Sequence, residues 1–192
     1  MNTKPVFFIM GPQGSGKGTQ AKILAEKLGL FHWDMGAVLR EEHDFTLSDG
    51  STVGGIIDKG IYLTDAQLIE VLKKRLGSIP PGQGIVFDGL PRRIGQADFI
   101  LQYLGSLGFA DFTTLVVDVS REESVKRLML RAEKEKRVDD TPEAIALRLK
   151  QAEELTGPLI EFMKTRTRIV TVDGNPPISE VTREIDEALA KL

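Results

Sequence analysis

The stretch that decides the fold is GPQGSGKGTQ, which runs from Gly11 to Gln20. It follows the apolar run Pro5–Met10, which is typical of a buried parallel strand, and it leads into a segment with the apolar spacing of a helix. Glycines have no Cβ, so their backbone can wrap an anion, and the N-terminus of the following helix adds positive potential. The stretch therefore predicts a loop that binds the phosphates of a nucleoside triphosphate.

One residue of this loop departs from the common phosphate-loop pattern, in which a hydroxyl residue directly follows the lysine. Here Gly18 follows Lys17, and the hydroxyl comes one position later, at Thr19. An ordinary glycine turn is the alternative interpretation, but the spacing, the lysine and the strand–helix context all favour phosphate binding. The loop by itself does not identify the acceptor of the phosphate.

The composition restricts the class of protein. A chain of 192 residues with 41% hydrophobic and 28% charged residues fits one globular domain. The formal net charge of −3 gives no reason to expect binding to nucleic acid or to an acidic membrane. The sequence has no cysteine, which excludes disulfides and cysteine-based zinc sites. The first residues are too short an apolar run for a signal peptide, and no stretch approaches the roughly 18 apolar residues of a membrane helix, so we expect a cytoplasmic protein.

Short apolar runs alternate with amphipathic stretches along the chain. Strands are predicted at Pro5–Met10, Gly84–Gly89, Thr113–Val119 and Arg168–Gly174, with Leu30–Trp33 as a further candidate. Helices are predicted after the glycine loop and at Asp65–Leu76, Gln96–Leu107, Glu122–Arg131, Pro142–Met163 and Ser179–Leu192. This alternation predicts an α/β three-layer sandwich with a central parallel sheet of about five strands. Ligands of such sheets bind beyond the carboxyl ends of the strands, where the glycine loop, residues 34–40 and residues 88–93 would meet.

The second motif is FDGLPRRIGQAD, from Phe87 to Asp98. Asp88 ends a predicted strand, where a carboxylate can hold Mg²⁺ through water, as acidic residues on a second strand do in phosphate-loop enzymes. Gly89 and Pro91 predict a tight turn. Arg92 follows the strand end directly, and we interpret it as a phosphate ligand, whereas Arg93 is better explained as a solvated residue at a helix start.

A third group consists of Arg131, Arg137 and Arg148. Each arginine alone is better explained as structural, and the surrounding AEKEKR as a solvated charge run. Together with the loop they gain significance, because phosphoryl transfer depends on positioning and on charge neutralisation by several cations. The two histidines fit no metal spacing.

Four motifs in order, GPQGSGKGTQ, DGLPRRIGQAD, RVDDTPEAIALRL and TGPLIEFM, give the chain a resemblance to the adenylate kinase family of nucleoside monophosphate kinases along nearly its full length. Glycine after the lysine, then Thr-Gln, is the form of the loop in that family, which implies that the loop is intact. The resemblance implies a P-loop enzyme that transfers the terminal phosphoryl of ATP, with Mg²⁺, to AMP and forms two ADP.

The resemblance also implies roles for individual residues. ATP would bind at Gly14, Ser15, Gly16, Lys17, Gly18, Thr19 and Arg131, with its adenine against the backbone near Pro176. AMP would bind at Met35, Arg40, Gly89, Leu90, Pro91, Arg92, Gln96, Arg137 and Arg148, and at the backbone of Ile61, Tyr62 and Leu63. The catalytic residues would be Lys17, Arg92, Arg131, Arg137 and Arg148. Asp88 and Thr19 would hold Mg²⁺ through water.

The resemblance divides the single domain, residues 1–192, into a core, a monophosphate-binding segment at about residues 34–63 and a short lid at about residues 130–140. Such a lid has no room for the zinc-binding insertion of some relatives, so no zinc site is expected. We expect a monomer whose partners are ATP and AMP, with neither nucleic acid nor a membrane among them.

The chain departs from the family at residues 34–40, which read DMGAVLR. Met35 replaces both the threonine that marks the adenylate kinases and the alanine that marks the UMP/CMP kinases, and Ala37 replaces the usual aspartate. Gln96 favours AMP, because an amide can pair with the donor and the acceptor of adenine together. A UMP/CMP or broad-specificity kinase stays open as the alternative. A small-metabolite kinase or a non-catalytic nucleotide-binding module is less favoured, because the lysine, Asp88 and the arginines are all present.

Overall fold

The computed structural model describes residues 4–135 and 141–192, with residues 132–135 described by their backbone alone. Five strands form one sheet in the order β2-β3-β1-β4-β5, and every neighbouring pair is parallel. The strands are β1 Pro5–Met10, β2 Phe31–Asp34, β3 Ile85–Asp88, β4 Asp111–Asp118 and β5 Arg168–Asp173. The predicted α/β class and the parallel sheet of about five strands are thereby confirmed.

Eight α-helices lie in the described part of the chain. They are α1 Lys17–Leu28, α2 Met35–Glu41, α3 Val53–Ile57, α4 Asp65–Arg75, α5 Ile94–Ser106, α6 Arg121–Glu135, α7 Pro142–Lys164 and α8 Ile178–Leu189, and a 3₁₀ turn, Leu76–Ser78, follows α4. Their ends follow from local chemistry. Thr64 and Gln67 form a capping box at the start of α4, and Thr141 caps α7 ahead of Pro142. Gly29 ends α1 in the left-handed conformation.

Two features of the helices differ from the sequence-based predictions. Helices α2 and α3 were not predicted, because five to seven residues are too few to display a helical apolar period. Helix α6 continues past Arg131 to Glu135, so the charged run there begins on a helix. The predicted lid therefore starts within α6, and its residues 136–140 lie outside the described residues.

Both faces of the sheet are buried, because successive side chains of each strand point to opposite sides. Phe8 and Phe87 stack at 5.3 Å between ring centroids on the face covered by α4, α5 and α7. Ile9 and Val117 lie on the other face, against α1 and α8. The sheet with a helical layer on each side gives three layers. The carboxyl ends of β1, β2 and β3 meet at one edge, where Asp34 and Asp88 are register partners. In the described part of the chain, no helix is both long and apolar enough to span a membrane.

Candidate active site

A cavity of about 960 Å³ opens at the carboxyl edge of the sheet. It brings together residues that are far apart in sequence, from the glycine loop, from the 34–63 segment, from the turn after β3 and from helices α6 and α7. The predicted site residues that line it are Gly14, Gly16, Lys17, Gly18, Thr19, Met35, Arg40, Ile61, Tyr62, Leu63, Asp88, Gly89, Arg92, Gln96, Arg131 and Arg148.

Four of the predicted residues that the structure describes do not belong to this lining. Ser15, Leu90 and Pro91 are buried, and Pro91 lines a separate cavity of about 30 Å³ that adjoins Lys17 and Arg92. Pro176 is half-buried and lies outside the lining, although its near neighbour Ile178 is part of it. Arg137 lies outside the described residues.

The structure gives a physical reason for glycine at two positions of the loop. Gly14 has a φ of +80°, and a Cβ there would lie 2.5 Å from the carbonyl oxygen of Ser124. At Gly18, a Cβ would lie 2.8 Å from Oδ2 of Asp88. Glycine after the lysine therefore allows the Asp88 carboxylate to approach the loop closely, and the hydroxyl of the usual pattern moves to Thr19.

Lys17 and Asp88 form the electrostatic centre of the cavity. Burial lowers the pKa of Lys17 to about 8, partly opposed by Asp88 and reinforced by the positive charges of Arg92 and Arg131. Burial also raises the pKa of Asp88, opposed by Lys17 and reinforced by the neighbouring Asp34 carboxylate. The Lys17 ammonium donates to the carbonyl of Pro12 at 3.0 Å. Both charges are thus desolvated, and a phosphate beside Lys17 or a cation beside Asp88 would stabilise them.

Helix α2 positions residues 34–40, the stretch whose sequence differs from the family pattern. Asp34 caps this helix, because its Oδ1 accepts from the backbone N–H of Ala37 at 2.9 Å. Arg40 is exposed, and its guanidinium lies over Gly36, where a Cβ would be 3.2 Å from Nη1. Met35 lines the cavity, yet only 2% of it is exposed, so most of its side chain packs in the core.

Gln96 joins two walls of the cavity. Its Oε1 accepts from the backbone N–H of Arg92 at 2.9 Å, and its Nε2 donates to the carbonyl of Leu63 at 3.4 Å. The residue is 2% exposed. These two bonds fix the orientation of the amide and leave one lone pair and one N–H for a ligand.

The arginines of α6 and α7 reach the same cavity. Arg148 is 6% exposed and donates to the carbonyl of Ile57 at 3.1 Å, and Arg131 lines the cavity from α6. Arg127 was missed by the sequence analysis. It donates to the carbonyls of Gly174 and Asn175 at 2.8 and 2.9 Å. Its spacing of four residues before Arg131, which places both on one helix face, was the signal that could have found it.

Several other lining residues were not assigned a role from sequence. They include Gln13, Lys22, Ile23, Glu26, His32, Asp34, Gly36, Leu39, Ile57, Leu68, Leu128 and Ile178. Among the described residues, no three carboxylate or imidazole side chains are grouped so as to hold a metal ion by themselves. The lining combines several cations around a glycine loop with the half-buried carboxylate of Asp88. That arrangement suits the binding of two phosphorylated ligands and transfer between them.

Comparison with known proteins gives a consistent result. A family model described as adenylate kinase matches residues 9–168. The chain is 36% identical to an adenylate kinase of Cyanothece sp. over 184 residues, which cover 96% of this chain and 94% of that protein. It is also 36% identical to an adenylate kinase of Phocaeicola vulgatus, with 96% and 97% covered, and to one of Maricaulis maris, with 94% and 96% covered.

Proposed function

The chain belongs to the adenylate kinase family and is a phosphotransferase with adenylate kinase function, and on that premise we propose how its cavity accommodates ATP and AMP and converts them into two ADP. The observation that carries the proposal is that Lys17 of the glycine loop and Arg92 of the turn after β3 line one cavity. The first suits the phosphates of a donor and the second the phosphate of an acceptor, so the two nucleotides can meet there.

The donor half consists of the glycine loop and α6. Gly14, Ser15, Gly16, Lys17, Gly18 and Thr19 hold the ATP phosphates, mainly through backbone N–H groups and the Lys17 ammonium. Arg131 contributes charge from α6. The ATP adenine lies near the backbone around Pro176, where Arg127 already binds the adjacent carbonyls of Gly174 and Asn175.

The acceptor half consists of the 34–63 segment and the turn after β3. Arg40 and Arg92 bind the AMP phosphate, as arginine forks suit phosphate oxygens. The backbone of Ile61, Tyr62 and Leu63, together with Met35, Gly89, Leu90 and Pro91, surrounds the nucleoside. Gln96 supplies its remaining lone pair and N–H to the adenine edge.

The transfer needs no acid or base from the protein, because an AMP phosphate oxygen is already ionised. That oxygen attacks the γ-phosphorus of ATP while the bond to the β,γ-bridging oxygen breaks, which leaves ADP on both sides. Lys17, Arg92, Arg131, Arg137 and Arg148 stabilise the negative charge that the transferring group carries. Lys17 is suited to move with that group, because its side chain is flexible.

Adenylate kinases use MgATP, and the donor set here fits that ion. Asp88 presents a hard carboxylate ligand whose negative charge is desolvated and lies beside Asp34, so a divalent cation nearby would stabilise it. We assign Asp88 and Thr19 to the water shell of Mg²⁺. The ion would neutralise phosphate charge during transfer.

The acceptor nucleotide in this proposal is AMP, so the base that the site selects is adenine. A pyrimidine is one ring smaller than adenine, so its polar edge would not reach the remaining polar groups of Gln96 and would leave them unpaired, whereas Met35 offers apolar contact to any base. The alternative of a UMP/CMP or broad-specificity kinase is motivated by Met35 and Ala37. We further propose a cytoplasmic monomer in which residues 34–63 form the monophosphate-binding segment and residues 130–140 the lid.

The direct test follows the nucleotides by ³¹P NMR with ATP and AMP present. Two ADP should form for each ATP consumed, and ADP alone should return ATP and AMP. Lys17→Met should nearly abolish both directions while the circular dichroism spectrum is unchanged. Release of inorganic phosphate with one ADP for each ATP and AMP left unconsumed, or full turnover by Lys17→Met, would contradict the proposal.

A further inference from the structure

The Arg92 guanidinium is held by two contacts that do not use its outer nitrogens. Its Nε donates to the carbonyl of Gly89 at 3.1 Å, and its Cζ lies 4.4 Å from the ring centroid of Tyr62. Within the described residues, neither Nη1 nor Nη2 of Arg92 donates a hydrogen bond to protein. Both residues line the main cavity. The group is therefore oriented while its outer donors stay available.

Tyr62 is in turn positioned by helix α7. Its backbone N–H donates to Oε1 of Gln151 at 3.0 Å, and its hydroxyl donates to the carbonyl of Arg148 at 3.4 Å. The Nε2 of Gln151 donates to the carbonyl of Gly60 at 2.8 Å. Gly60 lies so close to Ala144 that a Cβ there would be 2.7 Å from its backbone. The segment that carries Tyr62 is thus docked on α7, and the position of the ring follows.

An arginine that lies on an aromatic face gains a cation–π interaction and loses rotamer freedom before any ligand arrives. The N–H donors of the guanidinium lie in its plane, so the ring covers a face without competing for them. The binding of a phosphate then costs less conformational entropy, because the side chain is already ordered.

We propose that the side chain of Tyr62 is a positioning residue, whose ring holds Arg92 in the orientation that receives the phosphate of the acceptor nucleotide. The inference rests on the proposed function and extends it, because the family resemblance assigns Tyr62 to the acceptor site through its backbone alone.

The test measures steady-state rates with ATP and AMP for the full-length enzyme and for four variants: Tyr62→Leu, Tyr62→Phe, Arg92→Ala, and the double variant Tyr62→Leu with Arg92→Ala. Tyr62→Leu should raise the KM for AMP about three- to thirtyfold, the range expected for one cation–π contact. Its KM for ATP should stay within about twofold of wild type. Tyr62→Phe should lie much closer to wild type than Tyr62→Leu, because the ring is kept and only the long hydroxyl bond to the carbonyl of Arg148 is lost.

A double-mutant cycle distinguishes a positioning role of the Tyr62 ring from a merely structural one. In the Arg92→Ala background, Tyr62→Leu should add nothing further to the KM for AMP, since the ring acts through the missing guanidinium. Phe162→Leu is the matched control. It removes the ring beneath Arg166, 5.5 Å from the guanidinium, and neither residue lines the cavity, so the KM for AMP should be unchanged. If Tyr62→Leu loses its cooperative thermal transition, Tyr62→Met replaces it in the cycle, because its longer and more flexible side chain can fill more of the space without supplying a ring.

Three results would overturn the inference while the proposed function stands: an unchanged KM for AMP in Tyr62→Leu, additive effects in the cycle, or a Tyr62→Phe variant as impaired as Tyr62→Leu. Failure of the wild-type enzyme to convert ATP and AMP would instead overturn the proposed function, and this inference with it.

Discussion

Gly18 and Asp88 show, at the scale of single residues, how the loop differs from the common phosphate loop. The carboxylate of Asp88 occupies the space that a side chain at position 18 would need. Its approach adds a negative charge beside Lys17, which opposes the effect of burial on the pKa of the lysine. The missing hydroxyl at position 18 is thus part of the arrangement that lets the Asp88 carboxylate act on the charge of Lys17.

Gly18→Ala should lower kcat/KM about ten- to a hundredfold, because the new methyl group displaces Asp88 and with it the balance of charge around Lys17. Gly77→Ala is the control, since a Cβ at Gly77 meets nothing within 4 Å. Steady-state rates of both variants check the prediction. Equal, near-wild-type rates would show that the contact between position 18 and Asp88 has no functional weight.

The lowered pKa of Lys17 predicts how activity depends on pH. The ammonium is charged below its pKa of about 8 and becomes neutral as the pH rises through that value, so kcat/KM for ATP should fall above about pH 8. The free energy of unfolding should change in the opposite direction and rise between about pH 8 and 10.5. In that range the unfolded chain binds the Lys17 proton more tightly than the folded chain does.

Lys17→Arg is the control for this profile, because arginine does not titrate in the range. Its activity should be lower but should lack the break near pH 8. A wild-type profile that is flat to pH 10, or a break that persists in Lys17→Arg, would assign the titration to another group.

At the scale of elements, the acceptor side depends on how short segments are anchored. Residues 61–63 lead directly into α4, whose first turn is fixed by the capping box of Thr64 and Gln67. At the far end of α4, Lys74 and Arg75 pair with Glu42, which follows α2 and is 7% exposed. The 34–63 segment is therefore held at both ends of α4.

Thr64→Ala should lower the free energy of unfolding by about 1 kcal/mol, because it removes the hydroxyl that accepts from the backbone N–H of Gln67. Urea denaturation should show a lower midpoint with an unchanged slope. Thr64→Ser keeps the hydroxyl and should stay close to wild type. A loss of the same size in both variants would mean that the methyl group, and not the cap, stabilises the helix.

The sequence predicted the strands and the long helices well and the short helices poorly, for reasons visible in particular residues. β1 and β4 are buried on both faces, so their apolar runs are continuous and easy to find. Helices α2 and α3 have only two or three buried residues each, too few to show a period. Asp34 was not assigned its role as a helix cap because α2 itself was not predicted.

At the scale of the whole molecule, the cavity unites four separate parts of the chain, and the topology made that meeting predictable. β1, β2 and β3 are adjacent and parallel, so the loops after their carboxyl ends must share one edge. The internal bonds of Gln96 to Arg92 and Leu63 were not predictable, because they depend on a side-chain orientation that only the folded structure fixes.

The hydrogen bonds of Gln96 to Arg92 and Leu63 determine what a substitution at Gln96 should do. Gln96→Ala should lower the ratio of kcat/KM for AMP to that for CMP, because it removes the amide that distinguishes adenine. It should also raise the KM for both acceptors, since Arg92 loses the bond to its backbone N–H. Gln96→Glu keeps the acceptor oxygen for Arg92 and is the control. An unchanged ratio in Gln96→Ala would remove Gln96 from base selection.

The most direct measurement of the central claim is a competition among equal concentrations of AMP, dAMP, CMP, UMP and GMP for the γ-phosphate of ATP labelled there with ³²P. The labelled diphosphates are then separated, because the ADP left by the donor carries no label and only the phosphorylated acceptor does. The account predicts that ADP and dADP form fastest, with CDP and UDP at least about tenfold slower, a gap of roughly 1.4 kcal/mol. Faster formation of labelled CDP or UDP than of labelled ADP would contradict it and would make the chain a pyrimidine monophosphate kinase of the same fold.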